Sequence, residues 1–92
     1  MTMELVRNVE IINKLGMHAR AAAKFVKLAS QFDSKIELGT DNQRVNGKSI
    51  MGVLMLAAAK GTHVTIYADG DDARQSADAL AQLINNRFDE DE

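Results

Sequence analysis

The apolar residues of this chain follow two periods in turn, and that alternation limits the possible folds more than any other feature. In Glu4–Ile12, Leu5, Val9 and Ile11 fall on odd positions, the period of a strand with one buried face, although Arg7 interrupts it. From Ala19 onward, Ala22, Phe25, Val26 and Ala29 recur at i, i+3, i+4 and i+7, which gives a helix one apolar stripe. This helix is expected to end near Phe32-Asp33-Ser34. Lys35–Leu38 and Arg44–Asn46 are short strand candidates joined by the turn-rich Gly39-Thr40-Asp41-Asn42. Ser49 occupies an N-cap position ahead of an apolar helix expected over Ile50–Ala59 and closed by Lys60-Gly61.

His63–Ala68 alternates as a strand, and Asp69-Gly70-Asp71-Asp72 supplies a turn and the acidic start of a third helix. In that helix Ala73, Ala77, Leu80 and Ile84, with Leu83 and Phe88 beside them, form the buried face. The order β-α-β-β-α-β-α predicts an α+β fold in which three helices cover one face of a small antiparallel sheet. With 92 residues there is material for one such domain, residues 1–92, because a second core needs roughly 50 residues more. The final Asp89-Glu90-Asp91-Glu92 reads as a solvated, frayed end with no chemistry attached.

Composition narrows the chemistry. The absence of cysteine excludes disulfides, thiolate zinc sites and cysteine nucleophiles. A net charge of −2 argues against nucleic-acid binding, which calls for a basic domain. The longest apolar run, Val53–Ala59, is far short of the roughly 20 residues that span a bilayer. The opening Met1–Asn8 places an acid before its base and has no apolar stretch of signal-peptide length, so a mature cytoplasmic chain beginning near Met1 is expected. No metal or other cofactor is expected, and a monomer is the default.

Gly16-Met17-His18-Ala19-Arg20 sets an imidazole where a glycine loop meets a helix start. Free N–H groups and the dipole at such an end favour anions. An unperturbed imidazole is a nucleophile near neutral pH, and an arginine two residues on can donate charge-assisted hydrogen bonds to phosphate oxygens. A phosphoryl site is one reading of this pattern, and a plain capping or surface histidine is the other. His63, the second histidine, reads as a strand-edge residue. Arg20, Lys24 and Lys27 form a basic stripe on the same helix, which reads either as a docking surface or as a solvated face.

Gly16-Met17-His18-Ala19-Arg20 with Ala21-Ala22, followed by Val45-Asn46-Gly47-Lys48-Ser49-Ile50-Met51-Gly52-Val53 and Ala58-Ala59-Lys60-Gly61, resembles the HPr family, the histidine-containing phosphocarriers of the bacterial phosphotransferase system. The resemblance spans nearly the whole chain and implies an open-faced β-sandwich with a four-stranded antiparallel sheet. It implies that His18 accepts a phosphoryl group on Nδ1 from phosphorylated enzyme I and passes it to an enzyme IIA domain, with Arg20 steadying the phosphate. Such a carrier turns over only with its partners and not on a free metabolite. Ser49 would be the target of an HPr kinase/phosphorylase, or else an ordinary N-cap. Met17, Ile50 and Met51 resemble the family's apolar contact patch, with Lys24, Lys27 and Lys48 around it. Ala21 departs from the family's usual proline, which leaves a less rigid helix entry and one extra N–H. Two rival readings remain open at this level, a regulatory phosphoprotein of a nitrogen-type or incomplete system and an adaptor in which His18 is inert.

Overall fold

The computed structural model describes residues 4–92; Met1-Thr2-Met3, on which the expected start of the mature chain falls, lie outside the described residues. The elements are β1 (Leu5–Glu10), α1 (Ala19–Ala29), β2 (Lys35–Gly39), β3 (Arg44–Asn46), α2 (Ile50–Met55), β4 (His63–Asp69) and α3 (Ala73–Asn85), followed by a tight turn over Arg87–Asp89. The four strands form one antiparallel sheet in the order β1-β4-β2-β3. The expected α+β order is therefore the observed one.

Register decides which side chains meet the helices. Val9 lies opposite Val64, and Leu38 opposite Ile66, while Ile36 faces Ala68. All six are buried, because a strand turns alternate side chains to one face. α3 lies on β1 and β4, and α1 packs on both α2 and α3. Phe25 of α1, Val53 of α2 and Leu80 and Ile84 of α3 are fully buried in the shared core. The opposite face of the sheet is polar. There the guanidinium of Arg44 sits 3.5 Å from the centroid of the Tyr67 ring and bonds Glu37 at 2.9 Å, with Glu4 as its second carboxylate partner.

The helices end earlier than their apolar patterns predict. α1 stops at Ala29 and not at Phe32-Asp33-Ser34, since the N–H groups of Asp33 and Ser34 donate to the Asp72 carboxylate, each at 2.9 Å. α2 stops at Met55 and not at Ala59. Ala57 turns to a left-handed φ of 51°, and the Ala58 carbonyl accepts the N–H of Met17 at 2.8 Å. α3 stops at Asn85, so Phe88 lies beyond the helix, yet its ring is completely buried. His63 opens β4, a central strand, so it is exposed at a strand end and is not on the sheet's edge.

Asp72 links the start of α3 to the loop before β2. Its carboxyl is held below the ordinary aspartate range by the Ser34 hydroxyl first and then by the Asp33 N–H, against an opposing effect of burial. A carboxyl whose pKa is depressed in the folded chain contributes stability that is present above its unfolded pKa and is lost as the pH falls through the folded one. Acidification below the ordinary aspartate value of 3.8 should therefore lower the urea midpoint, and Asp72→Asn should show a smaller acid-induced drop. Equal drops in both proteins would remove Asp72 as a source of acid sensitivity.

Candidate functional site

Gly16 brings the histidine loop against the end of α2. Its φ is +68°, and a Cβ placed there would lie 2.7 Å from the Ala58 carbonyl oxygen and 2.9 Å from the Ala59 Cα. One residue on, Met17 is only 5% exposed and belongs to the core. This corrects the expectation that Met17 lies in an apolar docking patch. The N–H of Met17 donates to the Ala58 carbonyl, and the next residue, His18, is partly exposed.

His18 is the N-cap residue of α1 by its extended backbone, φ −83° and ψ 179°. Its carbonyl accepts the Ala22 N–H at 2.8 Å, but its side chain makes no capping hydrogen bond. The ring is thus not the capping group that the simpler reading allowed. Among the described residues, no hydrogen bond takes up the N–H groups of Ala19, Arg20 or Ala21, so the start of α1 keeps its free donors. Arg20 is exposed in that first turn, whereas Ala21 is fully buried.

The two nitrogens of the His18 ring have different surroundings. Nε2 bonds the Glu90 carboxylate, while no hydrogen bond of a described residue reaches Nδ1. Glu90 is in turn held by the Asn13 side-chain amide, which donates to Glu90 Oε1 at 3.0 Å and to the Gly16 carbonyl at 2.8 Å. Burial pushes the Glu90 carboxyl up, but the Asn13 and His18 hydrogen bonds and the nearby His18 and Lys24 charges outweigh it and hold the carboxyl below its usual range. The Lys24 ammonium donates to the Phe88 carbonyl at 2.7 Å.

This geometry overturns the reading of Asp89–Glu92 as a frayed end without chemistry. Phe88 is buried, and Arg87, Phe88 and Asp89 all take left-handed φ angles, 59°, 52° and 64°, so the chain reverses over the site. The Glu92 carbonyl then accepts the N–H of Lys14, and the Lys14 ammonium lies 3.4 Å from the Glu92 carboxylate. Glu90 and Asn13 are the site residues that sequence reasoning missed. The available signal was Phe88, four residues beyond Ile84 and still in phase with the apolar face, which anchors the chain two residues before Glu90.

The other expected site residues divide in two. Ile50 and Met51 are exposed at the start of α2, and Met55 and Leu15 extend the exposed apolar surface. Lys27 is exposed in the last turn of α1, but the Lys48 ammonium is occupied by the Phe32 carbonyl at 2.7 Å. Ser49 is the N-cap of α2, its hydroxyl accepting the Gly52 N–H at 3.1 Å. Among the described residues, no group of three or more histidine, aspartate or glutamate side chains is placed to hold a metal ion, and no helix is long and apolar enough to cross a membrane.

Fold and site define a small open-faced β-sandwich that presents one histidine at a helix start. A family model for the HPr component of the phosphotransferase system, described as its phosphorylation site, matches residues 5–86. The chain is 53% identical over 88 residues to the phosphocarrier protein HPr of Neisseria meningitidis, covering 96% of this chain and 99% of that protein. It is 51% identical over 88 residues to the phosphocarrier protein HPr of Cupriavidus necator, with the same coverage of both. The crystal structure of HPr-C-His from Thermoanaerobacter tengcongensis superposes with a TM-score of 0.91 at 44% identity, covering 96% of this chain and 99% of that one. The chain belongs to the HPr family of phosphocarriers of the phosphotransferase system.

Proposed function

We propose that the chain carries a phosphoryl group on Nδ1 of His18, taken from phosphorylated enzyme I and delivered to a histidine of an enzyme IIA domain. The observation that carries this reading is the inequality of the two ring nitrogens: Nε2 is engaged by Glu90, and Nδ1 is left without a hydrogen bond from a described residue. The Nδ1 lone pair attacks phosphorus, the N–P bond of the donor phosphohistidine breaks, and its electron pair returns to the donor ring. The free N–H groups at the start of α1 and the guanidinium of Arg20 stabilise the transferred dianion. The ring is only partly exposed, and in this reading partners dock on the exposed Ile50 and Met51 and on the side chains of Lys24, Lys27 and Lys48. A cytoplasmic monomer serving sugar uptake or its regulation fits this role.

Incubation with enzyme I and labelled phosphoenolpyruvate should give acid-labile label in the wild type and none in His18→Ala. An unlabelled wild type, or a variant labelled as strongly, would contradict the proposal. Ser49 is the second modification site that the family resemblance suggests. A phosphate there would add about −1.5 to −2 charges beside the apolar docking residues, disfavouring an acidic partner without unfolding the helix. ATP and an HPr kinase should give acid-stable label that Ser49→Ala loses; label retained in the variant would place the modification elsewhere.

A further inference from the structure

We infer that Glu90 is a positioning residue for phosphoryl transfer: its carboxylate accepts the Nε2–H of His18, keeps the lone pair on Nδ1, and balances the positive charge the ring acquires as Nδ1 bonds phosphorus. The inference rests on the carrier reading above and adds the residue through which His18 is held ready.

Four observations support it. First, Glu90 reaches Nε2 and not Nδ1, so the contact leaves the attacking nitrogen open. A neutral imidazole has one N–H and one lone pair, and a fixed acceptor on one nitrogen assigns the lone pair to the other. Second, the carboxylate is not a loose surface group. Asn13 clamps its other oxygen, and Asn13 is itself completely buried and tied to the Gly16 carbonyl. Third, the tail is pinned on both sides of Glu90. Phe88 is buried and its carbonyl is held by Lys24 on one side, while Glu92 is held by Lys14 on the other. Fourth, Glu90 is kept ionised by its partners at ordinary pH, as a charge-balancing group requires.

The chemistry resembles that of any nucleophile–imidazole–carboxylate array in which the carboxylate fixes the tautomer and stabilises the imidazolium without taking its proton. Here the imidazole is itself the nucleophile. When the N–P bond forms on Nδ1, the Nε2 proton stays on the ring, the ring becomes cationic, and Glu90 supplies the counter-charge. On transfer to the next histidine the N–P bond breaks, its electrons return to Nδ1, and the ring is neutral again with its proton still directed at Glu90. No proton need leave the site in either direction.

The test compares wild type, Glu90→Gln and Glu90→Ala in two measurements. Glutamine keeps the shape and an acceptor oxygen but removes the charge, and alanine removes both. Nitrogen-15 NMR of the unphosphorylated ring should show the proton on Nε2 in the wild type and in Glu90→Gln, whereas Glu90→Ala should give the averaged shifts of a ring exchanging between both tautomers. The initial rate of phosphoryl uptake from phosphoenolpyruvate-charged enzyme I should fall about tenfold in both variants, the effect of one charge-assisted hydrogen bond lost from the transition state. A Glu90→Gln variant that accepts phosphate at the wild-type rate overturns the inference and leaves the carrier reading standing. So does a Glu90→Ala variant that accepts phosphate faster, since the contact would then be a block that partners displace. A wild type that takes up no phosphate overturns the carrier reading and this inference with it.

Discussion

Phe88→Ala should destabilise the chain by about 3–5 kcal/mol, the usual cost of removing a fully buried aromatic ring whose cavity cannot close. Phe88 has no exposed surface, yet it lies outside every α-helix and strand, in the short left-handed turn over Arg87–Asp89. Three consecutive non-glycine residues with positive φ are unfavourable by themselves, so the turn persists because the ring is held in the core. Its carbonyl, moreover, is the acceptor for Lys24. The substitution should therefore lower the denaturant midpoint and also release the tail, so that the His18 ring signals move toward those of Glu90→Ala. An unfolding free energy within about 1 kcal/mol of wild type, well under the usual cost of a lost buried ring, would contradict the ring's assigned role.

Gly16→Ala is expected to cost about 2–4 kcal/mol, combining left-handed backbone strain with overpacking. The added methyl would meet the Ala58 carbonyl oxygen at 2.7 Å and the Ala59 Cα at 2.9 Å, both backbone atoms that a side-chain rotation cannot move aside. Relief requires the histidine loop to lift from the end of α2, which breaks the bond from Met17 N–H to Ala58 and shifts the start of α1. Chemical denaturation measures the first effect, and amide shifts of residues 17–22 measure the second. A variant as stable as wild type would mean that the loop and the end of α2 separate freely.

These two positions also mark what the sequence made legible. The stripe Ala22, Phe25, Val26 and Ala29 and the alternation in His63–Ala68 contain their own period, so helix, strand and buried face follow from local spacing. The end of α1 was not legible, because it depends on Asp72, whose carboxylate takes the N–H groups of Asp33 and Ser34 from 38 residues away in sequence in the Ser34 case. Nor was the end of α2, where Ala57, a non-glycine residue, takes a left-handed φ of 51°. His18 was visible as a candidate because a glycine loop, an imidazole and an arginine stand together at a helix start. Met17 was misplaced because nothing in an apolar residue's identity tells whether the fold will bury it or leave it exposed.

Glu90 was invisible for a related reason. Four successive carboxylates read as solvated tail under any local rule, and only the burial of Phe88, the reversal after it and the buried amide of Asn13 bring one of them to the imidazole. Residues brought together from the two ends of the chain by packing leave no spacing pattern to detect. The expected docking residues are mixed in the same way: exposed Ile50 and Met51 were foreseeable from the motif, whereas the anchoring of Lys24 and Lys48 to main-chain carbonyls came only from the fold.

The most direct test of the account is NMR of the protein phosphorylated by enzyme I, with nitrogen-15 in its histidine rings and phosphorus-31 observed through the N–P bond. The account predicts a single phosphorus signal coupled to Nδ1 of His18, with the proton of that ring on Nε2. Coupling to Nε2, or to a nitrogen of His63, would contradict it.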